Sequence, residues 1–91
     1  MIEKTVDVKV ESGVHARPAA MFVKLANKFP CEIQVSKGKT EINGKSIMGL
    51  MMLAITRGTT ITIKAEGSKE EEAVESLVQL VQGNFDREDL L

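Results

Sequence analysis

His15 is the only histidine in the chain, and Arg17 and Pro18 follow within three positions. Those types at that spacing suit phosphoryl chemistry at the mouth of a helix. Pro18 belongs in a first helical turn, where its missing N–H would have had no intrahelical partner. Ala19, Phe22, Val23 and Ala26 then recur at one-face helical spacing. A helix over residues 16–26 therefore puts His15 just ahead of the unpaired backbone N–H groups of Ala16 and Arg17. The positive end of the helix dipole disfavours imidazolium, which lowers the histidine pKa and keeps the ring neutral and nucleophilic. A phosphoryl group taken up there would face those N–H groups and the Arg17 guanidinium. The plainer reading is a polar residue at a helix start beside a solvated arginine. For a lone histidine that is the commoner case; the pairing with Arg17 and Pro18 weighs against it.

A second stretch draws notice by its apolarity. Ser46 is a good N-cap for a short helix reaching about Ala54, since its hydroxyl can accept from an orphan N–H one turn on. Ile47-Met48-Gly49-Leu50-Met51-Met52-Leu53 is then apolar nearly all round. A domain of 91 residues has little room to wrap such a helix completely. Leu50 and Leu53 are assigned to the core, and Ile47, Met48 and Met51 to a face that remains outside. Exposed methionines suit docking to several differently shaped partners. Ordinary core methionines fit the composition equally well.

The remaining elements must position these two stretches. Ile2, Val6, Val8 and Val10 alternate with Thr5, Asp7 and Lys9, a half-buried strand over residues 2–10. Glu11-Ser12-Gly13 breaks it. The first helix should end near Lys28, because Phe29 precedes Pro30 and is pushed from helical geometry. Cys31, Ile33 and Val35 alternate with Glu32, Gln34 and Ser36. Lys37-Gly38-Lys39 then turns the chain into a return strand over residues 40–43, with Ile42 inward and Asn43-Gly44 as the next break. Thr56-Arg57-Gly58 leads to a strand over residues 60–66 that buries Ile61, Ile63 and Ala65. Ser68 and Glu71 have capping-box spacing, and Glu70, Glu71 and Glu72 complement the dipole of a first turn. Ala73, Val74, Leu77, Leu80 and Val81 mark an amphipathic helix stopped at Gly83.

The order βαββαβα, with four one-faced strands and three helices to cover them, predicts an α+β two-layer open-faced sandwich. Its four-stranded sheet should be mainly antiparallel, with the three helices on one face. The whole of residues 1–91 reads as a single domain, and nothing is assigned to residues 84–91.

Twelve basic and thirteen acidic side chains nearly cancel, with no basic tract and no Trp or Tyr platform, so nucleic acid is not an expected partner. One histidine and one cysteine leave a metal site almost no ligands. The single Cys31 forms no disulfide within the chain and fits a reducing compartment. No apolar run reaches spanning length and no leader is visible, so a cytoplasmic location without membrane insertion is expected.

Gly13-Val14-His15-Ala16-Arg17-Pro18-Ala19-Ala20 and Lys45-Ser46-Ile47-Met48-Gly49-Leu50-Met51 resemble the histidine-containing phosphocarrier (HPr) family of the bacterial phosphoenolpyruvate:sugar phosphotransferase system. The resemblance runs over about residues 2–82 and includes the spacing between the motifs. It implies a phosphoryl carrier, not an enzyme and without cofactor, that forms a transient phosphohistidine. His15 would accept the group at Nδ1 from phospho-enzyme I and pass it to enzyme IIA components, with Arg17 supporting the phosphate. Ser46 aligns with the serine that an ATP-dependent HPr kinase phosphorylates in many Gram-positive bacteria, where the phosphoserine form binds a catabolite-control transcription factor. Ile47, Met48 and Met51 would lie beside His15 and share a docking face with Ala16 and Ala20. Transient use by a monomer implies an interface below about 1,200 Å².

Two other classes stand beside this reading. One is a non-carrier regulatory protein, a catabolite-repression co-effector working only through Ser46; a related group keeps the serine motif but lacks the histidine, which is present here. The other is an unrelated α+β binding module. An acid-labile phosphate gained from enzyme I and phosphoenolpyruvate separates the carrier from both.

Overall fold

The computed structural model of the protein describes residues 1–8, 16–53 and 58–82, and of residues 16–18 the backbone alone. Within them the order is β1 (Ile2–Asp7), α1 (Ala16–Ala26), β2 (Glu32–Lys37), β3 (Thr40–Asn43), α2 (Ile47–Met52), β4 (Thr60–Glu66) and α3 (Glu70–Val81). Val10, the break at residues 11–13, the turn at residues 56–57, Gly83 and the tail lie outside the described residues.

The strands form one sheet in the order β1-β4-β2-β3, antiparallel at every pairing. β4 is its spine, with Ile63 opposite Lys4 of β1 on one side and Val35 of β2 on the other. Side chains alternate across a strand, so Val6, Ile33, Val35, Ile61, Ile63 and Ala65 fall on one face, and all are buried. Thr5, Thr62, Gln34 and Lys64 fall on the other, where the Thr5 and Thr62 hydroxyls bond across the strands at 3.0 Å and Lys64 meets Glu41 at 3.1 Å. Helices cover only the apolar side. α3 lies against β1 and β4 through Ala73, Val74, Leu77, Leu80 and Val81; α1 packs between α3 and α2; and α2 rests on β3. The open-faced α+β sandwich is thus observed.

Four boundaries differ from the expectation. β1 ends at Asp7, opposite Thr60 where β4 begins; Val8 stays buried, its N–H donating to the Thr59 carbonyl at 2.8 Å. α1 ends at Ala26 rather than near Lys28. The N–H groups of Lys28 and Phe29 reach back only three residues, to Leu25 and Ala26, a tightened last turn before Pro30. α2 stops at Met52, not Ala54, and Leu53 caps it.

The start of α3 is the clearest correction. Ser68 does not cap it: Lys69 holds the N-cap position in a left-handed conformation (φ 62°) with no side-chain cap bond. Gly67, at φ 128°, swings the chain into a tight turn in which the Glu70 N–H donates to the Gly67 carbonyl at 3.3 Å. Ser68 lies inside that turn, out of register with the helix start. Glu70 takes over the electrostatic role, with its carboxylate 2.9 Å from the Met1 ammonium. That bond holds the Glu70 carboxyl below its usual range and the amine above its own.

Gly44, just past β3, lies close against β2. Its N–H donates to the Ile33 carbonyl at 2.8 Å, and a Cβ there would stand 2.6 Å from Ile33 Cγ2 and 3.2 Å from Ile33 O. Ile33 is buried and branched at Cβ, so neither neighbour yields freely. Gly44→Ala is expected to cost about 1–3 kcal/mol, the range for overpacking. Urea unfolding of the variant measures it, and an unchanged midpoint would mean that the β3–α2 turn relaxes without cost.

Candidate functional site

The apolar segment becomes a helix because its start is capped. Ser46 is extended (φ −115°, ψ 117°), its Oγ accepts from the Gly49 N–H at 3.1 Å, and its carbonyl accepts from the Leu50 N–H at 3.1 Å. The turn leading in is set by Asn43, whose Oδ1 accepts from the Lys45 N–H at 2.8 Å. The N-cap role assigned to Ser46 is therefore observed.

α2 then divides as its pattern demanded. Leu50 and Leu53 are buried, each such burial stabilising by about 1.5–3 kcal/mol. Ile47, Met48 and Met51 are exposed, at 41, 75 and 47%. Core methionines are excluded at these positions. Met52, at 79%, belongs to the same outer surface, which extends it beyond the three residues assigned from sequence. Its helical spacing of four from Met48 was the available signal.

Two lysines complete the setting, and no sequence pattern announced them. Lys37 Nζ donates to the Leu53 carbonyl at 3.1 Å, placing a cation at the C-terminal end of α2. Lys45 Nζ donates to the Phe29 carbonyl at 2.8 Å, just past the end of α1. Both reach from strands β2 and β3 or their turns across sixteen positions of chain. The sheet thereby ties down both helices.

α1 begins at Ala16, so the backbone of Ala16 and Arg17 forms a helix start, as the spacing predicted. Ala20 is exposed, whereas Ala19, Phe22, Val23 and Ala26 are buried. α1 and α2 pack against each other, which brings the two motif-bearing helices together. His15 and the side chains of Ala16, Arg17 and Pro18 lie outside the described residues. Among the described residues no group of His, Cys, Asp and Glu could hold a metal ion, and no helix is long and apolar enough to cross a membrane.

The described residues form a one-sided sandwich whose short helix α2 turns an apolar face to solvent. A family model described as "PTS HPr component phosphorylation site" matches residues 2–83, and the chain belongs to this HPr phosphocarrier family of the sugar phosphotransferase system. The HPr-like protein Crh of Halalkalibacterium halodurans is 51% identical over 82 residues, 90% of this chain and 98% of the relative. The phosphocarrier protein HPr of Bacillus anthracis str. Ames superposes with a TM-score of 0.87 at 49% identity, covering 89% of this chain and 96% of that structure. An HPr dimer from Thermoanaerobacter tengcongensis gives 0.73 at 46% identity, with 93 and 98% covered. The chain is thus similar both to carriers and to the Crh proteins of catabolite repression.

Since α2 has only six residues, it depends on its cap more than a long helix would. Ser46→Ala is expected to destabilise the protein by about 0.5–2 kcal/mol. Amide exchange should be faster at Gly49 and Leu50 and unchanged in α3. Uniform acceleration across the chain would contradict a local cap.

Proposed function

We propose that this protein is a cytoplasmic phosphoryl carrier in which His15 takes a phosphoryl group from phospho-enzyme I and hands it to enzyme IIA components. The supporting observation is the start of α1 at Ala16, immediately after His15, on a helix packed beside the exposed face of α2. In the transfer, imidazole Nδ1 forms a P–N bond as the phosphoryl group's bond to enzyme I breaks. The backbone N–H groups at the helix start and the Arg17 guanidinium receive the negative charge. A phosphohistidine must be held without being trapped, and one helix start with one arginine is support of that modest kind. Ala16, Ala20, Ile47, Met48 and Met51 form the docking face, joined by Met52.

In this reading Ser46 is a regulatory site. An ATP-dependent HPr kinase phosphorylates it, and the phosphoserine form engages a catabolite-control transcription factor. The similarity to Crh favours this second activity, and a regulator working through Ser46 alone is the competing function. We read the working form as a monomer, although a relative forms a dimer. Light scattering at assay concentration decides between them.

Incubation with enzyme I and phosphoenolpyruvate tests the carrier. The native chain should gain one acid-labile phosphate, and His15→Ala should fold normally and gain none. Full labelling of His15→Ala would remove His15 from the reaction. Arg17→Ala should still accept the group, slowed about ten- to a hundred-fold by losing one charge-assisted contact of roughly 1.5–3 kcal/mol. Transfer at the native rate would make Arg17 a surface charge only.

Charge at residue 46 tests the docking face. Ser46→Asp places an anion beside an apolar surface that must be desolvated against enzyme I. It should keep the native circular dichroism and melt within a few degrees of the native protein, yet show a raised KM as an enzyme I substrate. Phosphoserine, with about twice the charge, should do so more strongly. Native KM values for both forms would take α2 out of the partner surface.

A further inference from the structure

Apart from Met1, the large hydrophobic side chains that stand exposed among the described residues are Ile47, Met48, Met51 and Met52. Three of these four carry a thioether, on consecutive turns of one helix. Of the other sulfur-bearing residues, Met1 is also exposed, at 73%, and the remaining two are buried. Met21 is 8% exposed inside the core, and Cys31, the only cysteine, is 2% exposed. A thiol ordinarily competes with thioethers for two-electron oxidants, and that competition requires access. Here the thiol is shut away and the thioethers are presented.

From this arrangement we infer that Met48, Met51 and Met52 form a reversible oxidation site for hypochlorous acid or peroxides, and that their sulfoxidation switches off docking at α2. With hypochlorous acid, a sulfur lone pair attacks chlorine and the O–Cl bond breaks to release hydroxide; water then attacks the chlorosulfonium sulfur, the S–O bond forms, and the hydroxide takes one of that water's protons. Chloride leaves, the other proton passes to water, sulfur loses two electrons and chlorine gains them. Reversal needs a dithiol reductase, which takes the oxygen away as water while its two thiols become a disulfide. The product is a dipolar hydrogen-bond acceptor in place of a soft apolar atom. A face that must shed water to meet a partner then holds it. The fold is spared, because α2 is anchored by buried Leu50 and Leu53 and by the Ser46 cap, whereas the three methionines are exposed.

The consequence for docking rests on the carrier reading; the site of oxidation does not. The intact chain is titrated with limiting hypochlorous acid, and each methionine is followed by peptide mass spectrometry. Met1, Met48 and Met52 should oxidise first and Met51 next, with Met21 unchanged. Oxidation of Met21 together with Met48 overturns the site. In the enzyme I assay the treated chain should show a KM raised at least tenfold with kcat retained, and methionine sulfoxide reductase should restore it. The M48L/M51L/M52L variant, compared only with itself before and after treatment, should keep its KM. Complete sulfoxidation of the three residues with native KM overturns the switch. An untreated chain that accepts no phosphate overturns the carrier reading instead, while the masses still decide the site.

Discussion

A helix of six residues cannot hold itself together in water, because the cost of nucleating it exceeds what so few hydrogen bonds return. The exposed face of this protein is nevertheless carried on one. α2 persists because other parts of the chain stabilise each of its ends and its underside. Ser46 satisfies the N–H of Gly49, Lys37 meets the carbonyl of Leu53, and Leu50 and Leu53 are sunk into the core. With those anchors in place, the outer surface is free to be apolar and uncommitted.

The sheet makes this economy possible. β4 is paired on both sides and buries Ile61, Ile63 and Ala65 against the helices, so one apolar layer organises the whole domain. The opposite face is left to Thr5, Thr62, Gln34 and Lys64 and water. The same sheet supplies the lysines that tie down α1 and α2: Lys37 ends β2, and Lys45 follows β3.

The chain belongs to the HPr family and is similar to the Crh proteins. The His15 motif precedes α1, the Ser46 motif opens α2, and the two helices pack side by side. Charge or polarity introduced at α2 is, in the proposed function, felt where the phosphoryl donor docks. In the proposed function this adjacency couples regulation to transfer without any change of fold.

Where the pattern was local, it could be read from the residues alone. The alternation in residues 60–66 and the spacing of Ala73, Val74, Leu77, Leu80 and Val81 each reflect one element meeting one apolar layer, and burial follows both. Ser46 could be recognised as a cap because an N-cap acts within four residues. The inside-outside division of α2 followed from having too little protein to surround it. Only the tertiary structure decided the rest. The left-handed Lys69 replaced the expected Ser68 cap because Gly67 turns the chain against Cys31, a neighbour distant in sequence. The bonds from Lys37 and Lys45 join groups sixteen residues apart, and a lysine in a strand or turn carries no mark of the carbonyl it will meet. Strand order is of the same kind. Periodicity tells a strand which face to bury, but only the packed sheet determines that β4 lies between β1 and β2.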